Sequence, residues 1–248
     1  GIDPNSCKHV LIEYNDIAAG DDHVAIKAGV CNANGSRNKC TDPVFRNSDL
    51  YATRNVTVRY NTMRTGMGIA VGSESSGGIF DVAIHDNVVG RCAFGHDDPT
   101  TSCGWGPALH VKTTMARGNF VQNISFVNNK VYNTTMFILL ELDYQDPHPV
   151  VPVEYPATLV KTILFERNQA LGKATSSSFE CTHEDACHEI IVVDNVIAAA
   201  ANDSSNDKPW HCKNVASYQV SNNTPGGLER CMAESMDTTT IWDDVSQF

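Results

Sequence analysis

Short segments in which apolar and polar residues alternate recur along the chain, and each ends at an asparagine. One apolar residue stands five positions before the asparagine and another stands three positions before it. Because side chains of a strand alternate between two faces, this pattern predicts seven short strands, each followed by a turn. The asparagines are Asn15, Asn61, Asn87, Asn129, Asn168, Asn195 and Asn223; the residues five before them are Val10, Val56, Val82, Ile124, Ile163, Ile190 and Tyr218; the residues three before them are Ile12, Val58, Ile84, Phe126, Phe165, Val192 and Val220.

The spacing of these asparagines indicates a repeat. Successive ones are 46, 26, 42, 39, 27 and 28 residues apart. A period near 27 with longer loops in three coils is typical of a solenoid. A propeller needs about 40–45 residues and four strands per blade, which the shorter spacings do not supply. The pattern therefore predicts an all-β parallel β-helix, with a continuous apolar interior and a hydrogen-bonded ladder of asparagines.

The ends of such a solenoid need a cover, because an open coil exposes its apolar cross-section. Here Val10 and Ile12 start the pattern almost at the first residue. We therefore expect N-terminal coils or a cap outside this sequence, supplied by an upstream fragment or a second chain. No shift in composition divides the chain, which predicts a single domain over residues 1–248.

Charge excludes one class of partner. The chain has 18 Lys+Arg against 29 Asp+Glu and a formal net charge of −11. Binding to a phosphate backbone needs clustered positive charge, so we expect no nucleic-acid partner. The longest apolar runs, residues 136–140 and 196–201, are far shorter than the roughly 20 residues of a membrane-spanning helix, so we expect no membrane partner either.

Cysteines and sequons indicate a secreted, extracellular protein. Eight of the nine cysteines form close pairs, as expected of local disulfides in an oxidising compartment. The ninth, Cys7, needs a partner in another segment or chain. The pairs are Cys31 with Cys40, Cys92 with Cys103, Cys181 with Cys187, and Cys212 with Cys231; the candidate glycosylation sites are Asn34, Asn55, Asn123, Asn133, Asn202 and Asn222.

A metal site is the alternative for one cysteine pair. Cys181, His183, Cys187 and His188 are zinc-type ligands, and His183-Glu184 resembles the start of a metalloprotease helix motif. That motif needs two histidines four residues apart, and these are five apart. We expect a disulfide here, and neither a metal nor another cofactor.

Two adjacent carboxylates carry the clearest chemical signal. Asp21 and Asp22 follow the first strand, and Gly20 permits the bend that brings both into one cleft. A pair of carboxylates is the equipment of glycoside hydrolysis, in which one donates a proton and the other takes one from water. An isolated Asp-Asp is far more often a solvated acidic turn.

Four ordered motifs decide between these interpretations. They are Gly1-Ile2-Asp3, residues 20–27, residues 66–78 and His110-Val111-Lys112-Thr113. Together they resemble the polygalacturonases of glycoside hydrolase family 28, over residues 1–144. The resemblance implies a right-handed, single-stranded parallel β-helix that hydrolyses pectin with inversion and without metal. It assigns the general acid to Asp21 and activation of water to Asp22.

Substrate contacts follow from the same resemblance. Lys112 takes the place of the lysine that binds the sugar carboxylate, and Tyr144 that of the tyrosine that lines the subsite. A net-acidic protein must place cations in its groove to bind an acidic polysaccharide, and Lys27 is a second candidate. Trp105, between two glycines, is compatible with stacking on a sugar or with an aromatic buttress.

Three departures from the family pattern keep other functions open. Met67 stands where the family has histidine, and His110 where it has arginine; a further catalytic aspartate would precede Gly1. Histidine does not form arginine's bidentate fork to a carboxylate. With an ordinary pKa of about 6.5, His110 predicts that uronate binding weakens from about pH 5 to 7. The alternatives are an impaired β-helix that acts as a carbohydrate-binding or structural extracellular protein, and another reaction on carbohydrate.

Overall fold

The computed structural model describes residues 1–29, 50–92, 104–114, 119–144, 158–172, 176–182, 187–198 and 209–235. Within these ranges the chain is built almost entirely of short strands, with one helix after the last of them. The elements are β1 Lys8–Glu13, β2 Asp16–Ile17, β3 Asp22–Ile26, β4 Thr53–Arg59, β5 Thr62–Met63, β6 Met67–Val71, β7 Ile79–His85, β8 Val88–Val89, β9 Pro107–Lys112, β10 Phe120–Val127, β11 Lys130–Val131, β12 Met136–Glu141, β13 Leu159–Glu166, β14 Gln169–Ala170, β15 Ser177–Glu180, β16 His188–Val193, β17 Val196–Ile197, β18 Trp210–Lys213, β19 Tyr218–Ser221 and α1 Leu228–Glu234.

The strands stack into three parallel sheets, because every third strand along the chain pairs with the next one of its own sheet. Sheet 1 has the order β1-β4-β7-β10-β13-β16-β19, sheet 2 has β2-β5-β8-β11-β14-β17, and sheet 3 has β3-β6-β9-β12-β15-β18. Each coil therefore contributes one strand to each sheet. This arrangement confirms the predicted parallel β-helix.

The predicted apolar positions form continuous columns inside the coils. Val56, Val82, Ile124, Ile163 and Ile190 lie opposite one another in successive strands of sheet 1. A second column includes Phe126 and Phe165, which stack with ring centroids 5.0 Å apart and are fully buried. Burial of such columns is the main driving force for stacking the coils.

The predicted asparagine ladder is present beside these columns. Each amide side chain donates to the carboxamide oxygen of the next coil, at 2.9 Å from Asn61 to Asn87 and 3.0 Å from Asn87 to Asn129. The ladder continues through Asn168, Asn195 and Asn223. The residue before each ladder asparagine adopts a left-handed φ between 52° and 57°. The ladder thus satisfies the backbone at a sharp turn that every coil repeats.

The helix α1 covers the C-terminal part of the described solenoid. Leu228 and Met232 are fully buried and belong to the apolar core. The disulfide Cys212–Cys231 links α1 to β18. The last predicted strand ends before Asn223, and the sequence pattern did not indicate this helix.

Residues 1–5 lie beside β3 at the other end. Ile2 forms a bridge with Val24, and Asn5 with Lys27. Cys7 is a free thiol that donates to the Asn5 carbonyl at 3.2 Å. A cover for the first coil and a partner for Cys7 stay predictions.

The described residues include both cysteines of two predicted pairs and one cysteine of a third. Cys181–Cys187 and Cys212–Cys231 are disulfides, which confirms both pairs and excludes a zinc site at Cys181 and Cys187. Cys92 is also disulfide-bonded. Cys103, Cys31 and Cys40 lie outside the described residues. Within the described ranges, no helix combines the length and the apolar character needed to cross a membrane.

Candidate active site

The site lies on the outer side of sheet 3, where β3, β6, β9 and β12 are neighbours. Val24, Ile69 and Leu109 lie opposite one another and point into the core. The next residues along these strands face outward: Ala25, Ala70 and His110 form one row. All three side chains of this row are buried, with 2% of Ala25, none of Ala70 and 4% of His110 exposed.

Asp22 is the first residue of β3, and Asp21 immediately precedes it. The Asp22 N–H donates to the Asp21 carboxylate at 2.7 Å. Asp21 is exposed, whereas the Asp22 side chain is only 12% exposed. The backbone bends at Gly20 and Asp21 as predicted, but Gly20 does not have a left-handed φ and a Cβ there would meet no neighbouring atom, so the bend does not require glycine.

Lys112, at the end of β9, contacts this pair of carboxylates. Its ammonium lies 2.9 Å from Asp22 Oδ2 and is oriented over the ring of Tyr144, 4.8 Å from the ring centroid. Burial alone would lower the pKa of Lys112, but the charge and hydrogen bond of Asp22 outweigh that cost and raise it. Lys112 is therefore held as a cation, with Asp21 also within electrostatic range.

His110 precedes Lys112 by two residues on the same outer face and is bonded to a carboxylate. Its Nε2 lies 2.8 Å from Glu141 Oε1, and the residue is 4% exposed. The Tyr144 ring meets the imidazole edge-on at 6.1 Å. Burial lowers the pKa of His110 despite its hydrogen bond to the Glu141 carboxylate, and the Lys112 charge lowers it further. The predicted effect of pH on uronate binding assumed an ordinary pKa for His110; because burial lowers that pKa, the effect would move to lower pH, and it stays a prediction.

Two further positions of the site have an apolar character. Met67 pairs with Asp22 across β3 and β6. Its side chain packs against Gly106, where a Cβ would come within 2.7 Å of Met67 Cγ. Trp105 is 49% exposed beside this contact. Met67 thus packs as an apolar residue, and Trp105 leaves half its surface free.

Lys27 lies just beyond the end of β3 and is ion-paired. Its ammonium lies 3.6 Å from Asp3 and 3.9 Å from Glu74.

Gly72 lies beside Lys27 and allows the close approach of β9, since a Cβ there would come 1.8 Å from the Lys112 carbonyl oxygen. With φ at 101°, Gly72 is a position where the backbone requires glycine.

Two residues of the site were missed by sequence reasoning. Glu141 lies directly opposite Lys112 across β9 and β12. His23 is fully buried beside Asp22; its Nε2 lies 3.1 Å from the Thr65 carbonyl and its Nδ1 has no partner. Burial lowers the pKa of His23. The position of Glu141 at a strand end, like that of Lys112, was the signal available for it.

The candidate glycosylation sites differ in exposure. Asn55 and Asn123 are exposed on sheet 1, with their amides bonded to His9 and Asp81. Asn222 is exposed, and Asn133 is only 5% exposed and thus the least suited to carry a glycan. Asn34 and Asn202 lie outside the described residues.

Comparison with known proteins gives the site its context. Residues 1–223 match the family Glycosyl hydrolases family 28. An endo-polygalacturonase of Pectobacterium parmentieri is 28% identical over 145 residues, 58% of this chain and 28% of the relative. A polygalacturonase of Ralstonia nicotianae is 31% identical over 126 residues, 51% of this chain and 18% of the relative.

A solved structure gives the same fold. The crystal structure of a hyperthermoactive exopolygalacturonase from Thermotoga maritima covers 90% of this chain with a TM-score of 0.59 and 23% identity, and the match spans 41% of that protein. The chain thus spans less than half the length of each of these relatives. The family match reaches well past Tyr144, where the motif resemblance ended, and the chain belongs to glycosyl hydrolase family 28.

Proposed function

We propose that this protein is a secreted glycoside hydrolase that cleaves a pectin-like polysaccharide containing uronic acid, with inversion, using Asp21 and Asp22. The observation that carries the proposal is the group formed by Asp22, Lys112 and Tyr144 beside Asp21. Two carboxylates, a fixed cation and an aromatic face on the outer side of one sheet are suited to binding and hydrolysing a sugar chain. The names of the polygalacturonase relatives support the substrate class.

In the proposed reaction, protonated Asp21 donates its proton to the glycosidic oxygen as the bond to the sugar breaks. The Asp22 carboxylate takes a proton from a water molecule that attacks the opposite face of the sugar, which inverts the configuration. Lys112 holds Asp22 in place through the 2.9 Å contact. In inverting enzymes the acid and base carboxyl groups lie roughly 6.5–9.5 Å apart, so that the attacking water molecule fits between the base and the sugar.

Secretion rests on the two disulfides and on the exposed sequons, since such bonds persist in oxidising compartments. It is tested by locating the protein outside or inside the producing cell. Retention inside the cell with reduced cysteines would contradict it.

The test of function is the release of reducing ends from pectin-like polymers by the protein and two variants. We expect Asp21→Asn and Asp22→Asn each to lower kcat about 10²- to 10⁴-fold, while Asp16→Asn, an exposed aspartate paired with Arg64 on sheet 2, leaves it unchanged. Proton NMR of the first products checks inversion. Full activity of Asp21→Asn would exclude the proposed acid, and binding without any cleavage would favour the alternative of a carbohydrate-binding protein.

A further inference from the structure

The cations that the sequence offers for a sugar carboxylate are already neutralised by the protein. Lys112 is 9% exposed at its side chain and bonded to Asp22 at 2.9 Å. Lys27 is shared between Asp3 and Glu74. A uronate guest would have to compete with Asp22 for the Lys112 ammonium, and it would do so next to Asp21.

His110 does not provide bidentate hydrogen bonds to a sugar carboxylate in place of these two neutralised lysines. The imidazole is buried and its Nε2 is bonded to Glu141 Oε1. An imidazole has at most two N–H donors, and here Nε2 is directed at a protein carboxylate. Arginine in this place would have five donors and a permanent charge.

Glu141 makes the surface next to Lys112 acidic. It lies opposite Lys112 in the sheet, and its side chain is 23% exposed. Oε1 is bonded to His110, whereas Oε2 has no hydrogen bond to the described residues. Lys112 is paired with Asp22 and lies within electrostatic range of Asp21, and Glu141 lies opposite it in the sheet, so three carboxylates belong to this part of the site. An exposed carboxylate oxygen accepts a hydrogen bond from a hydroxyl and repels another carboxylate.

We propose that the sugar unit seated against Lys112, His110 and Glu141 is uncharged, and that Glu141 determines this specificity. The unit is either a uronate whose carboxylate is esterified or a neutral sugar; both present hydroxyls and no charge. Glu141 Oε2 accepts from a hydroxyl of this unit. The inference rests on the proposed function and deepens it, because uronates elsewhere along the polymer stay compatible with it.

The test compares binding and cleavage of three polymers: free-acid galacturonan, its fully methyl-esterified form, and a polymer in which uronate alternates with a neutral sugar. Binding of matched oligosaccharides is measured by calorimetry, and cleavage by new reducing ends. We expect tighter binding and higher kcat/KM with either the methyl-esterified galacturonan or the polymer that contains a neutral sugar. The one that is preferred shows whether the uncharged unit is an esterified uronate or a neutral sugar. Equal or better performance on free-acid galacturonan overturns the inference.

Glu141→Gln isolates the charge while it keeps the size and an oxygen acceptor for His110. Removing one negative charge a few ångströms from the guest is expected to raise kcat/KM for free-acid galacturonan about threefold to thirtyfold. The matched control is Glu189→Gln on sheet 1. The Glu189 carboxylate pairs with Lys161, and this substitution should leave kcat/KM for free-acid galacturonan unchanged. An unchanged kcat/KM for free-acid galacturonan in folded Glu141→Gln would refute the role of Glu141.

Salt provides a measurement that needs no variant. Repulsion between Glu141 and a uronate weakens as ions screen it, so affinity of the unaltered protein for free-acid oligosaccharides should rise between low and physiological salt. A fall would indicate attraction and would overturn the inference. If no polymer is cleaved but the uncharged oligosaccharide binds better, the proposed function fails while the inference stands. If free-acid galacturonan is cleaved best, the proposed function stands and the inference fails. If nothing binds or is cleaved, both fail.

Discussion

The asparagine ladder allows a stability prediction whose size follows from counted contacts. Asn129 is fully buried and its side chain makes four hydrogen bonds. It accepts from the Asn87 N–H at 3.1 Å and the Asn87 amide at 3.0 Å, and it donates to the Ile84 carbonyl at 3.0 Å and to Asn168 at 2.9 Å. The Asn87 amide also reaches two backbone carbonyls, so its loss is small. The Asn87 N–H has no such substitute.

Asn129→Ala should therefore lower the free energy of unfolding by roughly 3 kcal/mol. About 1–3 kcal/mol comes from the orphaned buried N–H, and about 0.5 kcal/mol from each bond that is partly replaced. Urea unfolding followed by circular dichroism measures the change, with the same m-value required for each variant.

Two controls separate the effect of contacts from the effect of position in the stack. Asn15→Ala, at one end of the ladder, removes only two bonds and should cost less than about 1 kcal/mol. Asn223 lies near the other end but makes four bonds, so Asn223→Ala should resemble Asn129→Ala. If Asn223→Ala resembles Asn15→Ala, position decides and the counting of bonds is refuted. A cost for Asn129→Ala equal to that of Asn15→Ala would refute it as well.

Two further predictions concern pH and the disulfide at the helix. Burial lowers the pKa of His23 and His110 below the ordinary 6.5, so the unfolded chain binds more protons as the pH falls; stability is fully present above about pH 6.5 and declines below it. Unfolding measured from pH 7 to 5 should show a shallower decline in His110→Gln than in the exposed control His188→Gln, and identical slopes would contradict this. Replacing Cys212 and Cys231 by serine should cost about 3 kcal/mol, because the bond closes a loop with a sequence separation of 19; a loss below about 1 kcal/mol in urea unfolding would show that α1 docks without it.

The parts of the fold that repeat could be predicted from the sequence. The ladder bonds span 46, 26, 42, 39, 27 and 28 residues, which are the spacings read from the asparagines. Such a prediction succeeds because each coil places the same residue type in the same environment. The helix α1 has no such repeat, and it is stabilised by the packing of Leu228 and Met232 and by a disulfide.

The site could be predicted as a set of residues but not as a set of contacts. Asp22 and Lys112 are 90 residues apart, with loops of different length between them. Period-two alternation places Lys112 on an outer face, yet it does not give the register of β9 against β3. That register decides that Lys112 meets Asp22, and the register of β12 against β9 decides that Glu141 meets His110. The sequence therefore indicated a lysine for a sugar carboxylate, whereas the structure pairs that lysine with Asp22, one of the two proposed catalytic carboxylates.

The departures from the family pattern fit together once the outer face of sheet 3 is separated from its inner face. The inner columns and the ladder hold the coils in place, so outer positions such as Met67 and His110 can differ without loss of the fold. A buried imidazole still needs a partner, because an unpaired polar group costs about 1–3 kcal/mol. Glu141 provides that partner at 2.8 Å, and in doing so it places a carboxylate beside Lys112. His110 and Glu141 are therefore one unit: the residue that replaces the family's arginine is compatible with the fold through a neighbour that also changes the charge offered to the sugar.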